Sequence, residues 1–391
     1  MKRLRDPNWI LILLFLGILA AVPIAQTIIE LRDPEGVVAL DLFSERPTAE
    51  NLRAFEHKLE AANWAGRVSR PWLQFANFAW LQEGGEKVVV GSRGWYFFKP
   101  GLKYMLARPE TFAPPNATND PVTAIIDFRD QLAARGIRLM VMPVPNKDSI
   151  YPDRLTSRAG SLRGVLAPQT RNVLQRLQAA HIEVIDLFKE FAQARQKSAA
   201  AETPLYLEQD THWSPEGVDL AAKSVARRLI ELDWIQPGQS DYRLRPAPVQ
   251  RIGDLLRMLQ APMIDRRVVP EKVPAVQVVE GAEAKLYADK AAAEIMILGD
   301  SFMRIYQTDR PNSAGFIAHL AKELKQPMMS IVNDGGGSTL VREEFCARPY
   351  FLDHKKVVIW EFVERDIGLG VKGWRHTRLP PVQSKRGQES K

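Results

Sequence analysis

Five short apolar runs constrain this chain more than any other feature: "IRLMVMPVP" (137–145), "IEVIDLF" (182–188), "EIMILGD" (294–300), "PMMSIVND" (327–334) and "KKVVIWEFVE" (355–364). Each is too short for a core helix and too continuously apolar for a strand with one wet face. Each therefore reads as a strand buried on both sides. Helical spacing falls near 122–135, 168–180, 214–231, 311–325 and 338–350. Strands and helices in alternation predict an α/β fold, a mainly parallel sheet covered by helices on both faces. The stretch 232–290, rich in Pro, Arg and Gln, breaks the alternation and is expected to be an irregular insertion or lid.

The run "WILILLFLGILAAVPIAQTII" (9–29) carries no charge. As a helix it would match the hydrocarbon thickness of a bilayer, about 30 Å. It is longer than the apolar core of a signal peptide, and the small residues near Ala21 and Ala25 make a poor cleavage site, so an uncleaved anchor is expected, with cleavage as the alternative. Lys2, Arg3 and Arg5 precede it, which keeps residues 1–8 in the cytoplasm and exports the chain beyond residue 30. In a bacterium the chain is then a single-pass protein of the inner membrane with its bulk in the periplasm. Residues 30–87 read as lead-in helices, 88–370 as the main domain and 371–391 as a basic, disordered tail.

Charge narrows the partners. The formal +7 of the 391 residues resides in the ends, +2 in residues 1–6 and +5 in 371–391, which leaves the body neutral. A groove that neutralises phosphates needs clustered charge, so nucleic acid is not an expected partner. The single cysteine, Cys346, permits no internal disulfide and reads as a small buried hydrophobe.

Working residues in open parallel sheets lie at the carboxyl ends of strands, and three segments there carry chemistry. In "EIMILGDSF" (294–302) a strand ends in Gly-Asp-Ser, which places Ser301 as a nucleophile with backbone amides nearby, or as a turn serine capping a helix. In "LEQDTHWSPEG" (207–217) Ser214-Pro215 marks a helix start. Just before it, Asp210 and His212 share one face if the segment is extended, either as a base with its orienting carboxylate or as a structural pair. No Cys or second His stands at ligand spacing from His212, so no metal is expected. In "VNDGGGSTL" (332–340) Asn333 and Gly335 are candidates for an oxyanion cradle, or for a plain glycine turn; Gly336 and Gly337 stay open. Lys147, Trp213 and Arg365 are candidate substrate contacts, Asp148 and Glu361 could line the same cleft, and Trp95 and Trp360 are further rings that could stack on sugars. Solvated turns, ion pairs and core packing are their ordinary alternatives.

Gly-Asp-Ser-Phe (299–302) with Asp-Thr-His-Trp (210–213) resembles the SGNH hydrolase-like alginate O-acetyltransferases of the AlgJ and AlgX type. "GSRGWYFF" (91–98), "MPVPNKDSIYPD" (142–153) and "VVIWEFVERD" (357–366) are similar to the same family, which covers roughly 88–368. The Asp-x-His block precedes the serine, as in a circularly permuted SGNH hydrolase. The resemblance implies Ser301 as nucleophile, His212 as base and Asp210 as its carboxylate. It implies no cofactor, an exopolysaccharide acceptor such as alginate, and a membrane-bound O-acyltransferase as acetyl donor. The anchor points to the AlgJ type. A polysaccharide acetyl esterase with the same triad, or a non-catalytic glycan-binding scaffold, are the alternative functions.

Overall fold

The structure is a computed structural model that describes residues 7–32, 36–44, 46–108, 112, 117, 119–162, 164–197, 203–261, 264–368 and 373–381. The chain divides into two compact units, residues 1–82 with 260–264, and residues 83–259 with 265–391.

In the first unit the apolar run forms one helix, Pro7–Glu30. Its 24 residues rise about 36 Å. Among the described residues it is the one helix long and apolar enough to cross a membrane, and its length and composition fit a single-pass anchor. Two further helices come after it, Ala49–Ala62 and Trp64–Leu81. Thr48 and Asn63 cap them, their side chains accepting from the Asn51 and Gly66 amides.

The second unit holds the sheet. Its strands are β1 (Arg138–Val144), β2 (Glu183–Val184), β3 (Ile295–Gly299), β4 (Met328–Val332) and β5 (Val357–Val363), one from each apolar run. They pair in the order β4-β3-β5-β1-β2, all parallel. Alternate residues enter two separate cores. Met140, Ile297 and Ile359 face the helices Pro215–Glu231 and Phe316–Leu324. Val141, Leu298 and Trp360 face Pro121–Ala133, Pro168–Ala179 and Leu340–Ala347. Burial on both faces explains why the strands carry no polar alternation. The helix expected from 311 begins only at Phe316, because Asn312 and Ser313 adopt left-handed φ of 71° and 49° in the preceding turn.

Two expectations are corrected. Residues 232–290 are not an irregular insertion. They form an antiparallel three-stranded sheet (Tyr242–Pro246, Val276–Glu280, Lys285–Leu286) and a two-stranded one (Val249–Arg251, Glu271–Val273). Tyr242, Val273, Val278 and Tyr287 join the core, and such short antiparallel strands leave little periodic signal. The tail is not disordered throughout. Trp374 is fully buried against Trp360 and Phe362, and its indole N–H donates to the Asp366 carbonyl at 2.8 Å. That one aromatic, with buried Leu379, holds an otherwise polar segment; residues 371, 372 and 382–391 lie outside the described residues.

Candidate active site

Because the strands are parallel, their carboxyl ends converge on one edge of the sheet. β3 ends in Gly299-Asp300-Ser301 and β4 runs into Asn333, whose N–H donates to the Gly299 carbonyl at 3.1 Å. The two loops are thereby fastened side by side. Ser301 opens a single helical turn, Ser301–Arg304, capped by Asp300, which accepts from the Phe302 N–H at 2.9 Å.

Asp210 and His212 reach this edge from another element. The segment before Ser214 is a tight loop rather than the extended stretch that would align alternate residues. It is closed by the antiparallel bridge of Tyr206 with Trp213, and the Leu207 N–H donates to the His212 carbonyl at 3.1 Å. The two side chains still meet, because Asp210 Oδ1 accepts from the His212 backbone N–H at 3.2 Å, an aspartate turn two residues long. Asp210 Oδ1 lies 2.6 Å from His212 Nδ1, and His212 Nε2 lies 2.8 Å from Ser301 Oγ. Asp210 and His212 are buried and Ser301 is half-buried.

The surroundings set the protonation of this chain. Burial alone would raise the Asp210 carboxyl, but the hydrogen bond and charge of His212, the Arg251 guanidinium and the Asp254 N–H outweigh it and hold it well below the usual carboxylate range. Burial likewise opposes a charged His212, yet Asp210, with Asp254 and Asp300 behind it, keeps the imidazole above its ordinary value. A neutral ring then donates from Nδ1 to Asp210 and presents the Nε2 lone pair to Ser301.

Arg251 and Asp254 escaped sequence reading. Arg251 Nη2 sits 3.0 Å from Asp210 Oδ2, and the Asp254 N–H donates to the same oxygen at 3.1 Å. Asp254 also takes the Thr211 N–H at 2.7 Å and the Thr211 hydroxyl at 2.6 Å. Both residues belong to the stretch expected to be irregular, and no local pattern announces contacts made some forty residues away. Asp210, His212 and Asp254 lie close enough to surround a cation. Their oxygens and Nδ1, however, are already committed to one another, to Arg251 and to Thr211, a donor set that suits a hydrogen-bonded triad better than a metal.

Glu361, which the sequence offers as a cleft residue, does not line the cleft. It lies on β5 under the serine loop, fully buried, with Oε2 accepting from the Asp300 N–H at 2.8 Å. Glycine at 299 is required by it, since a Cβ there would stand 2.6 Å from Glu361 Oε2 and 2.3 Å from Met303 Cγ. Burial, then the charge of Asp300, pushes the Glu361 carboxyl well above its usual range, which favours the protonated form. A raised folded pKa gives stability that is complete below the unfolded value and fades as pH rises through the folded one. Glu361→Gln keeps the acceptor and has no proton to lose. Its thermal midpoint is expected to exceed the wild type's by a margin that grows between about pH 5 and pH 8. Parallel melting curves across that range would refute a protonated Glu361.

The remaining sequence candidates separate. Trp213, Trp95 and Trp360 are in the core, at 0%, 2% and 0% exposure, and cannot stack on a sugar. Lys147 is also not a substrate contact. Its ammonium is buried and donates to the carbonyls of Tyr96 (2.6 Å), Glu208 (2.8 Å) and Asp210 (3.0 Å), with burial pulling its pKa down to about 8. All three donors are used on backbone, which fixes the loop that carries Asp210. Arg365 is half-exposed, its guanidinium 5.1 Å from the Phe98 ring centre; burial raises the Asp300 carboxyl, and the Arg365 charge offsets part of that rise. Gly335 sits at an exposed turn with φ 69° and open space beside it. The glycine that backs onto Asp300 is Gly337, where a Cβ would come within 3.3 Å of the carboxylate.

Residues 88–364 match the family described as SGNH hydrolase-like domain, acetyltransferase AlgX. The chain belongs to this family. Its relatives include proteins named probable alginate O-acetylase AlgJ. That of Pseudomonas aeruginosa is 24% identical over 319 residues, 74% of this chain and 72% of its own length. That of Pseudomonas fluorescens is 26% identical over 294 residues, 73% and 69% of the two chains. Among solved structures, the O-acetyltransferase domain of Pseudomonas putida AlgJ superposes with a TM-score of 0.55 at 19% identity, covering 72% of this chain and 92% of that one. AlgX of Pseudomonas aeruginosa gives 0.53 at 18%, covering 71% and 61%. The SGNH-like acetyltransferase fold is thus shared by proteins whose sequences have diverged widely.

Proposed function

We propose that this chain is an anchored O-acetyltransferase that passes an acetyl group through Ser301 to hydroxyls of an exopolysaccharide, with alginate, the polymer in its relatives' names, as the first acceptor to try. The observation that carries the reading is the continuous hydrogen-bonded line from Asp210 through His212 to Ser301. Ser301 Oγ attacks the donor's acetyl carbon while its proton moves to His212 Nε2. The tetrahedral intermediate expels the donor's alcohol or thiol, which takes that proton back and leaves an acetyl-serine. A sugar hydroxyl then attacks the ester, giving its proton to Nε2, and collapse returns the proton to Ser301 Oγ and releases the acetylated sugar. Asp210 stabilises the imidazolium at both stages. The Ser301 N–H and the Asn333 side chain are the proposed oxyanion donors, with Gly335 serving through the turn it allows. Arg365 is the proposed contact to the acceptor.

Acetyl-CoA is cytoplasmic, so a domain exported behind the anchor needs a donor that hands acetyl groups across the membrane. A membrane-bound O-acyltransferase is the partner proposed for that step, with residues 1–8 in the cytoplasm and the 88–370 domain in the periplasm. Incubating the full-length protein in detergent with a nitrophenyl acetate and deacetylated alginate tests the reading. Acetyl esters on the polymer are expected. Release with acetate as the sole product points to an esterase, and no release with no acetyl-serine points to a scaffold.

A further inference from the structure

The helix Trp64–Leu81 has no part in the acetyl-transfer scheme, yet its surface is unusual. Wound at about 100° per residue, it divides into two halves. One carries Trp64, Val68, Trp72, Leu73, Phe75 and Trp80, interrupted by Ser69 and otherwise filled with alanines. The other carries Arg67, Arg70, Gln74 and Asn77, together with Gly66, Pro71, buried Phe78 and exposed Leu81. The apolar half is open to solvent, with Trp72 54%, Leu73 61% and Trp80 82% exposed. Large apolar side chains standing in water along one helix mark a face with a partner. The helix contains two arginines and no acidic residue.

Its position identifies the partner. Gln26 lies in the last turns of the apolar helix Pro7–Glu30, four residues from its end. The Gln26 side chain donates to the Ala62 carbonyl at 2.9 Å and accepts from the Trp64 N–H at 2.6 Å. The first residue of the amphipathic helix is therefore pinned beside the last turns of the apolar helix. Tryptophan is favoured at a membrane–water interface, where its ring meets acyl chains and its N–H meets water, and basic residues there meet lipid phosphates.

We propose that Trp64–Leu81 lies in the membrane interface beside the anchor, its tryptophan half among the acyl chains and Arg67 directed to anionic headgroups, while Arg70 is already paired with Glu60 at 3.1 Å. The proposal rests on Pro7–Glu30 spanning the bilayer. The chain would then hold the membrane by two elements, a span and a raft, which restricts how the exported unit is carried relative to a membrane-borne acetyl donor.

The test is site-directed spin labelling of the full-length protein in phosphatidylcholine–phosphatidylglycerol vesicles, on a Cys346→Ser background, with thermal unfolding as the control for folding. Nitroxides are placed by Leu14→Cys in the anchor, Leu73→Cys and Trp80→Cys on the apolar half, and Asn77→Cys on the polar half. Collisions with oxygen, which concentrates in lipid, are compared with collisions with a water-soluble nickel chelate. The labels at 14, 73 and 80 are expected to favour oxygen, and the label at 77 to favour nickel. An anchor label in lipid with 73 and 80 as open to nickel as 77 overturns the proposal and leaves the anchor intact. Labels at 73 and 80 shielded from both reagents overturn it in favour of a protein contact. An anchor label in water removes the foundation for both.

Discussion

Ser301→Ala and His212→Ala are each expected to abolish acetyl release from an ester reporter, by roughly 10³-fold or more. The expectation is this large because the two groups act as one unit. Without the Nε2 acceptor 2.8 Å from its oxygen, the Ser301 hydroxyl keeps its proton and is a poor nucleophile. Without Ser301 the imidazole has nothing to activate but water. The double variant should therefore lose about as much as either single one, where independent contributions would multiply. Mass spectrometry of trapped wild-type protein should place one acetyl group on the peptide that contains Ser301, absent from both variants. Unchanged turnover in Ser301→Ala, or an acetyl group on another residue, would sink the assignment. Ser301 is half-exposed and its replacement by Ala removes a single hydroxyl, so the fold should survive the substitution.

Asp210→Asn is expected to cost about 10³- to 10⁴-fold in acylation rate and to change its pH dependence. The base must be neutral, so the rate rises with pH through the His212 pKa. Asp210, aided by Asp254 and Asp300, keeps that pKa above its ordinary value of about 6.5. The wild-type ascending limb should accordingly lie above that value. Removing the carboxylate charge removes the leading influence that raises the pKa, so the limb should move to lower pH even as the plateau falls. The same change lets the ring settle in the wrong tautomer, which accounts for the lower plateau. Arg251→Gln should do less, because it touches only Oδ2 of Asp210 and leaves the bond from Oδ1 to His212 Nδ1 in place. An Asp210→Asn enzyme with the wild-type limb would show that His212 titrates independently of this carboxylate.

The sequence alone determined the sheet and the neighbourhood of the chemistry. Five apolar runs became five parallel strands because a strand buried on both faces must be apolar throughout, and that requirement is local. The helix start at Ser214-Pro215 was equally legible, since an N-cap and a first-turn proline act within one turn. Gly-Asp-Ser at the end of β3 obeys the same logic, as loops after parallel strands share an edge.

Tertiary structure decided what these residues meet. Trp213 adjoins His212 in sequence but is buried against Phe302 and Phe316, an outcome set by strands and helices far from it. Lys147 reads as a cleft residue until three carbonyls from two distant segments close around its ammonium. Arg251 and Asp254 come from a stretch without periodicity, and Glu361 from the middle of an apolar strand, where a carboxyl has no local reason to be. Each is stabilised by a partner supplied by the fold: a buried charge needs a counter-charge and a buried carboxyl needs a donor, and sequence distance places no limit on where those come from. Period and capping are short-range properties that a sequence displays directly, whereas electrostatic and hydrogen-bond complementarity exists only once the chain has closed on itself.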